Sequence, residues 1–238
     1  MDNLQNSGTY GFGNSAGTGL DLASQRNRVL RNTYWLLALA LIPMGLGGLI
    51  GTQLSFDFLR SSPILGVLGM MAVIYGLMFA VQANRNSGVG AALLLVFTGA
   101  LGVMLGPLLQ FALHLSNGGT LIAYAAVGTA VIFFTMAAIG TTTKRDLTGL
   151  GKFLTVGAVV LIVAMIANIF LHMPVLQLVI ASLFMLFSAL VILWQMNAIV
   201  TGGETNYISA TLTLVVQIYN LFVSLLQILI ALAGGSRD

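Results

Sequence analysis

Seven long apolar runs, separated by short polar breaks, set the plan of this chain of 238 residues. They predict membrane-spanning helices over roughly 34–52, 63–82, 89–113, 120–141, 151–171, 174–199 and 207–233, because about 20 apolar residues are needed to cross the hydrocarbon core. The breaks read GTQLSFDFLRSS, QANRNS, HLSNGG, TTKRDLTG, HMP and TGGET. Runs such as LLALALIPMGLGGLI are apolar on every side, with none of the alternation over about ten residues that a membrane barrel requires. The expected fold is all-α, a polytopic bundle of seven transmembrane helices.

The last run differs from the others. Ser209, Thr213, Gln217, Asn220, Ser224 and Gln227 follow at steps of four, four, three, four and three, which places all six within roughly 80° of one helix face. Polar groups in hydrocarbon are costly without partners, so this face is expected to turn toward other helices. Ser188 and Gln195 share one face of the sixth span. Together Ser188, Gln195, Thr213, Gln217, Asn220 and Ser224 form the candidate interhelical polar cluster, and Gln or Asn pairs can clamp helices together.

Composition agrees with the pattern: hydrophobic residues make up 58% and charged residues 6%, against about a quarter charged in soluble domains. The formal net charge is +3, and the sequence pI is about 9.5. The cations lie where topology signals belong. Arg26, Arg28, Arg31, Arg85, Lys144, Arg145 and Lys152 fall on one set of breaks, Arg60 and Arg237 on the other, so the N terminus is expected in the cytoplasm and the C terminus outside. A nucleic-acid partner is not expected; the bilayer is.

Residues 1–25 are rich in Gly, Asn, Ser and Thr. Such a segment buries too little apolar surface to offset its chain entropy, so a disordered cytoplasmic tail is expected there, with the seven-helix domain over 26–238. The tail from Met1 to Gln25 is also the candidate segment for a partner that grips unfolded chain. The first apolar run is too long for a signal-peptide core and should remain as the first span.

Small residues recur as Gly47 with Gly51, Gly102 with Gly106, and Gly66, Gly69 and Gly76 in the second span, a spacing that allows close backbone approach. Pro107 and Pro174 are expected to mark a kink and a helix start. The chain has no Cys, which removes thiolate chemistry, and it lacks P-loop, HExxH and EF-hand patterns. His114 and His172 stand without nearby carboxylates, so neither a metal, a cofactor nor an enzymatic activity is expected. No ionisable residue lies well inside a span, which disfavours a proton-coupled pathway.

The segment GGETNYISATLTLVVQIYNLFVSLLQIL, with VLRNTYWLL, YGLMF, GPLL, ANIFL and the terminal SRD, resembles the Bax inhibitor family in its bacterial branch. The resemblance covers residues 29–238. It implies a seven-helix bundle with the seventh helix central, set in the bacterial inner membrane, and an interaction role: binding and restraining the FtsH membrane protease, with HflK and HflC as further partners. The alternative it carries is a calcium or other cation leak. Leak members have an aspartate pair acting as a pH-sensitive latch, and an Arg in the second helix that pairs with it. The matching latch positions here are Gln195 and Gln217, and no basic residue lies between Pro63 and Val81. Two amides cannot share a proton as carboxylates do, which disfavours the leak; the two glutamines are expected to face each other and hydrogen-bond.

Overall fold

A computed structural model describes residues 14–57 and 61–234. Its helices are α1 (Asn14–Gly51), α2 (Pro63–Ala83), α3 (Gly88–Met104), α4 (Gly106–Leu113), α5 (Gly118–Thr142), α6 (Thr148–Leu171), α7 (Pro174–Thr201) and α8 (Tyr207–Gly234). Seven segments are long and apolar enough to cross a membrane, α3 and α4 together forming the third. That span is broken at Leu105, where Pro107 sits in the first turn of α4, and Pro174 opens α7. Proline lacks the N–H that a continuing helix needs but suits a first turn, so both act as the sequence predicts.

The first helix starts ahead of the predicted span, with residues 14–25 helical; residues 1–13 of the expected tail lie outside the described residues. Ala16, Leu20, Leu22, Ala23, Gln25 and Arg26 are good helix formers. Extending a helix already nucleated by a spanning segment adds a hydrogen bond per residue without a new nucleation cost.

The last helix occupies the middle of the bundle. Among its described residues only Leu232 is exposed, and α8 packs against α1, α2, α3, α5 and α7. Its Ile208, Leu212, Leu214, Val215 and Leu221 meet Leu37 and Met44 of α1, Phe97 of α3, Phe133 of α5 and Ile192 and Met196 of α7 in one buried core. By contrast α6 packs chiefly on α7 and turns Val156, Val159, Val160 and Val163 outward, as a lipid-facing helix does.

Lipid tails are as apolar as leucine, so helix association here rests on close packing rather than on hydrophobic drive. The seam of α1 with α3 and α4 shows how close. A Cβ built on Gly102 falls 2.0 Å from the Met44 carbonyl oxygen, one on Gly47 falls 2.2 Å from that of Gly99, and one on Gly106 falls 2.5 Å from that of Gly51. The glycines of α2 behave otherwise: Gly69 and Gly76 face open space. These two do not form a packing seam, because α2 leaves most of its described residues exposed, whereas Gly66 is buried.

Candidate functional site

The polar stripe of α8 lies inside the bundle. Ser209, Gln217 and Ser224 are buried, while Thr213, Asn220 and Gln227 are half-buried. From α7, Ser188 and Gln195 are buried against it. The structure thus gathers the candidate residues in the interior but does not link them into one hydrogen-bonded cluster. Thr213 donates to the Ser209 carbonyl within its own helix. The Ser188 hydroxyl, the Gln195 Nε2 and the Gln217 Oε1 have no partner, nor does the Thr33 hydroxyl of α1.

The expected bond from Gln195 to Gln217 is therefore not formed. Hairpin register accounts for this. Counting outward from the turn, Gln195 lies six residues before Thr201, and the residue six into α8 is Thr213; Gln217 lies four residues deeper, about 6 Å along the axis. A buried donor and a buried acceptor are each left unpaired, at about 1–3 kcal/mol apiece. Neither residue carries charge, so this pair offers dipoles and no titratable group.

The amides that do hold the bundle lie at its ends, and the sequence pattern did not single them out. Asn206 precedes α8, and its Oδ1 accepts the backbone N–H groups of Ile208 at 2.9 Å and Ser209 at 3.1 Å. These are donors that a helix start leaves orphaned. Its Nδ2 donates to the Arg85 carbonyl at 2.9 Å and to Asn86 Oδ1 at 2.8 Å, so one side chain caps α8 and ties the α2–α3 loop to it. Nearby, the Ser209 hydroxyl donates to Gln82 Oε1 at 2.9 Å. Asn197 of α7 does the same for the α5–α6 loop, donating to the Thr143 carbonyl at 2.8 Å and accepting the Leu147 N–H at 3.3 Å. In that loop the Asp146 carboxylate accepts the hydroxyl and the N–H of Thr148, and these bonds hold it below the ordinary carboxylate range.

At the opposite end Gln110 of α4 donates to the carbonyls of Gly51, Thr52 and Leu54, where α1 stops. The one signal that could have found any of these residues is Asn206, an Asn just ahead of an apolar run.

The turn between α7 and α8 is tight. Gly202 has φ of +86°, and a Cβ there would lie 3.2 Å from the Arg26 guanidinium, so α1 closes over the turn. At the start of α1, residues 13–17 read Gly-Asn-Ser-Ala-Gly, the spacing of a serine-hydrolase elbow. That chemistry needs a strand-to-helix turn, whereas α1 begins at Asn14 and no strand occurs among the described residues. No group of three or more His, Cys, Asp or Glu side chains capable of holding a metal occurs among them either.

An uncharged polar face on a central last helix, packed against five other spans in a bundle that amides fasten at both ends, defines a polytopic α-helical membrane protein. A family model described as "Inhibitor of apoptosis-promoting Bax1" matches residues 26–234, and the chain belongs to that family, the Bax inhibitor family. It is similar to the "Modulator of FtsH protease YccA" of Escherichia coli K12, with 43% identity over 213 residues that cover 89% of this chain and 92% of the relative. An uncharacterised protein of Neisseria meningitidis serogroup A is 44% identical over 88% of this chain and 93% of its own length. A relative in E. coli O6:H1, 43% identical over 89% of this chain and 92% of its own length, is named "Inner membrane protein YccA".

Proposed function

We propose that this chain is a non-enzymatic regulator in the bacterial inner membrane that binds an FtsH-type membrane protease and restrains its action on other membrane proteins, with HflK and HflC as further partners. The observation that carries this reading is the near full-length similarity to a relative named as a modulator of that protease. The structure supports it physically. A protease that extracts its substrates must unpick the glycine seam and the end clamps of Asn206, Asn197 and Gln110 before any span is released. A bundle so fastened occupies the protease without yielding to it. We place the point of engagement in residues 1–13, the part of the expected Met1–Gln25 tail that precedes α1.

The test is co-purification from detergent-solubilised membranes, with the full chain and a chain lacking residues 1–13 as baits. Enrichment of the protease by the full chain, weakened by the deletion, is the expected result. No enrichment by the full chain defeats the proposal, and equal enrichment moves the contact elsewhere.

Orientation is part of the reading. With Arg26, Arg28, Arg31, Arg85, Lys144, Arg145 and Lys152 at one end of the bundle, the basic end is placed in the cytoplasm. A reporter after Asp238 should then read as periplasmic and one within residues 143–147 as cytoplasmic; the opposite readings would reverse the protein.

The cation leak is the weaker reading, because Gln195 and Gln217 cannot titrate. Ion flux through reconstituted protein should be small and flat between about pH 6 and 8, where a shared or raised carboxylate would respond. Robust calcium flux with a steep pH response would overturn this assignment.

A further inference from the structure

Helices α1, α7 and α8 pack on one another, and between them they carry four buried side-chain polar atoms that nothing in the protein satisfies. These are the Thr33 and Ser188 hydroxyls, the Gln195 Nε2 and the Gln217 Oε1, on residues no more than 7% exposed. Among the described residues no other buried side-chain nitrogen or oxygen is left without a partner. The orphans are thus confined to the contact of these three helices.

Hairpin register sets three of them in a line. Counted from the turn, Gln195 lies six residues before the end of α7, Gln217 ten residues into α8, and Ser188 thirteen residues before the end of α7. The steps of four and three residues amount to about 6 Å and 4.5 Å along the axis. A hydrogen bond joins heavy atoms about 2.8–3.0 Å apart, so one intervening molecule that bonds at both ends covers about 6 Å. Each step has room for one such molecule and no more.

The unpaired atoms also decide its chemistry. Nε2 only donates and Oε1 only accepts, while the two hydroxyls do both. A cation would satisfy Oε1 and be repelled at Nε2; an anion would do the reverse. An acyl chain satisfies neither. Water accepts from the one and donates to the other, and it is the usual ligand of small polar sites inside proteins. Thr213 and Asn220, four residues before and three after Gln217 on the same stripe, are half-buried, so protein does not seal that side of the face.

We propose that this interior is a hydration site, in which one water molecule bridges Gln195 Nε2 to Gln217 Oε1 and a second joins Gln217 Oε1 to the Ser188 hydroxyl. The sixth and seventh spans, α7 and α8, are then held at mid-depth through water rather than by direct contact of their amides. The site selects water against ions because it is uncharged and presents a donor beside an acceptor.

The test is solid-state NMR of the full chain in bilayers, with glutamine labelled at its side-chain nitrogen, reading proton transfer from water to each amide. Gln195 and Gln217 should receive signal from water as the exposed Gln53 does, each assigned by its disappearance in Gln195→Met or Gln217→Met. Silence at both while Gln53 responds would overturn the proposal. Melting gives an independent reading. Each single variant should melt lower by about 2–4 °C, and the double variant should lose little more than either, because both act through one bridge. Dry orphans predict the opposite sign, since an apolar residue of similar shape removes an unpaired group. A rise in both single variants, or a melting temperature that climbs with added calcium or potassium at fixed ionic strength, would likewise defeat the assignment to water.

Discussion

Gly102→Leu is expected to cost the bundle about 3 kcal/mol or more, the upper part of the range for overpacked cores. The reason is that the first atom added has no room. A Cβ at Gly102 lies 2.0 Å from the Met44 carbonyl oxygen and 2.9 Å from the Gly48 nitrogen, so α1 and α3 must separate along their whole seam rather than adjust one rotamer. Backbone, unlike the tip of a flexible side chain, cannot step aside. Gly45→Ala on α1 should stay within about 0.5 kcal/mol, because nothing lies within 4 Å of its Cβ. Melting of both variants in one detergent checks the pair: similar melting temperatures would mean that the seam is looser than described.

Asn206→Ala should be nearly as costly, at about 2–4 kcal/mol. Loss of an N-cap costs about 1 kcal/mol. Two further bonds, to the Arg85 carbonyl and Asn86 Oδ1, disappear with it, and each net bond is worth about 1 kcal/mol. Asn206→Asp separates these contributions. A carboxylate still caps Ile208 and Ser209, yet it cannot donate to the loop and sets its charge beside two acceptors. Its melting temperature should fall between those of the natural chain and the alanine variant. Hydrogen exchange at Ile208 and Ser209 should rise only in the alanine variant; equal protection in all three chains would remove Asn206 from its role as clamp.

The spans were legible in the sequence because lipid allows few alternatives. An apolar run long enough to cross must be a helix, so the predicted 207–233 coincides with the observed Tyr207–Ala233 span. For the same reason the polar stripe from Ser209 to Gln227 identified α8 as the interior helix. The small residues of α1 and α3 were read as a seam and form one, whereas Gly69 and Gly76 of α2 do not. Spacing reports that a helix could be approached, and only the neighbours decide whether it is. Two further features escaped for related reasons. The helical start at Asn14 depends on continuity with a spanning helix rather than on local composition. The clamps made by Asn197, Asn206 and Gln110 join residues 50 to 121 positions apart, a separation that no local pattern contains. The bond expected between Gln195 and Gln217 failed on register, which the hairpin sets and the residue types do not.

The most direct measurement of the central claim is the rate at which a reconstituted FtsH-type protease degrades a membrane substrate, with and without this chain in the same vesicles. Restraint by an engaged but poorly extracted bundle predicts that substrate degradation slows severalfold as the chain is added, while the chain itself disappears more slowly than the substrate. The Gly102→Leu bundle, easier to unpick, should be consumed and relieve the restraint. An unchanged rate of substrate loss at saturating amounts of the chain would contradict the account.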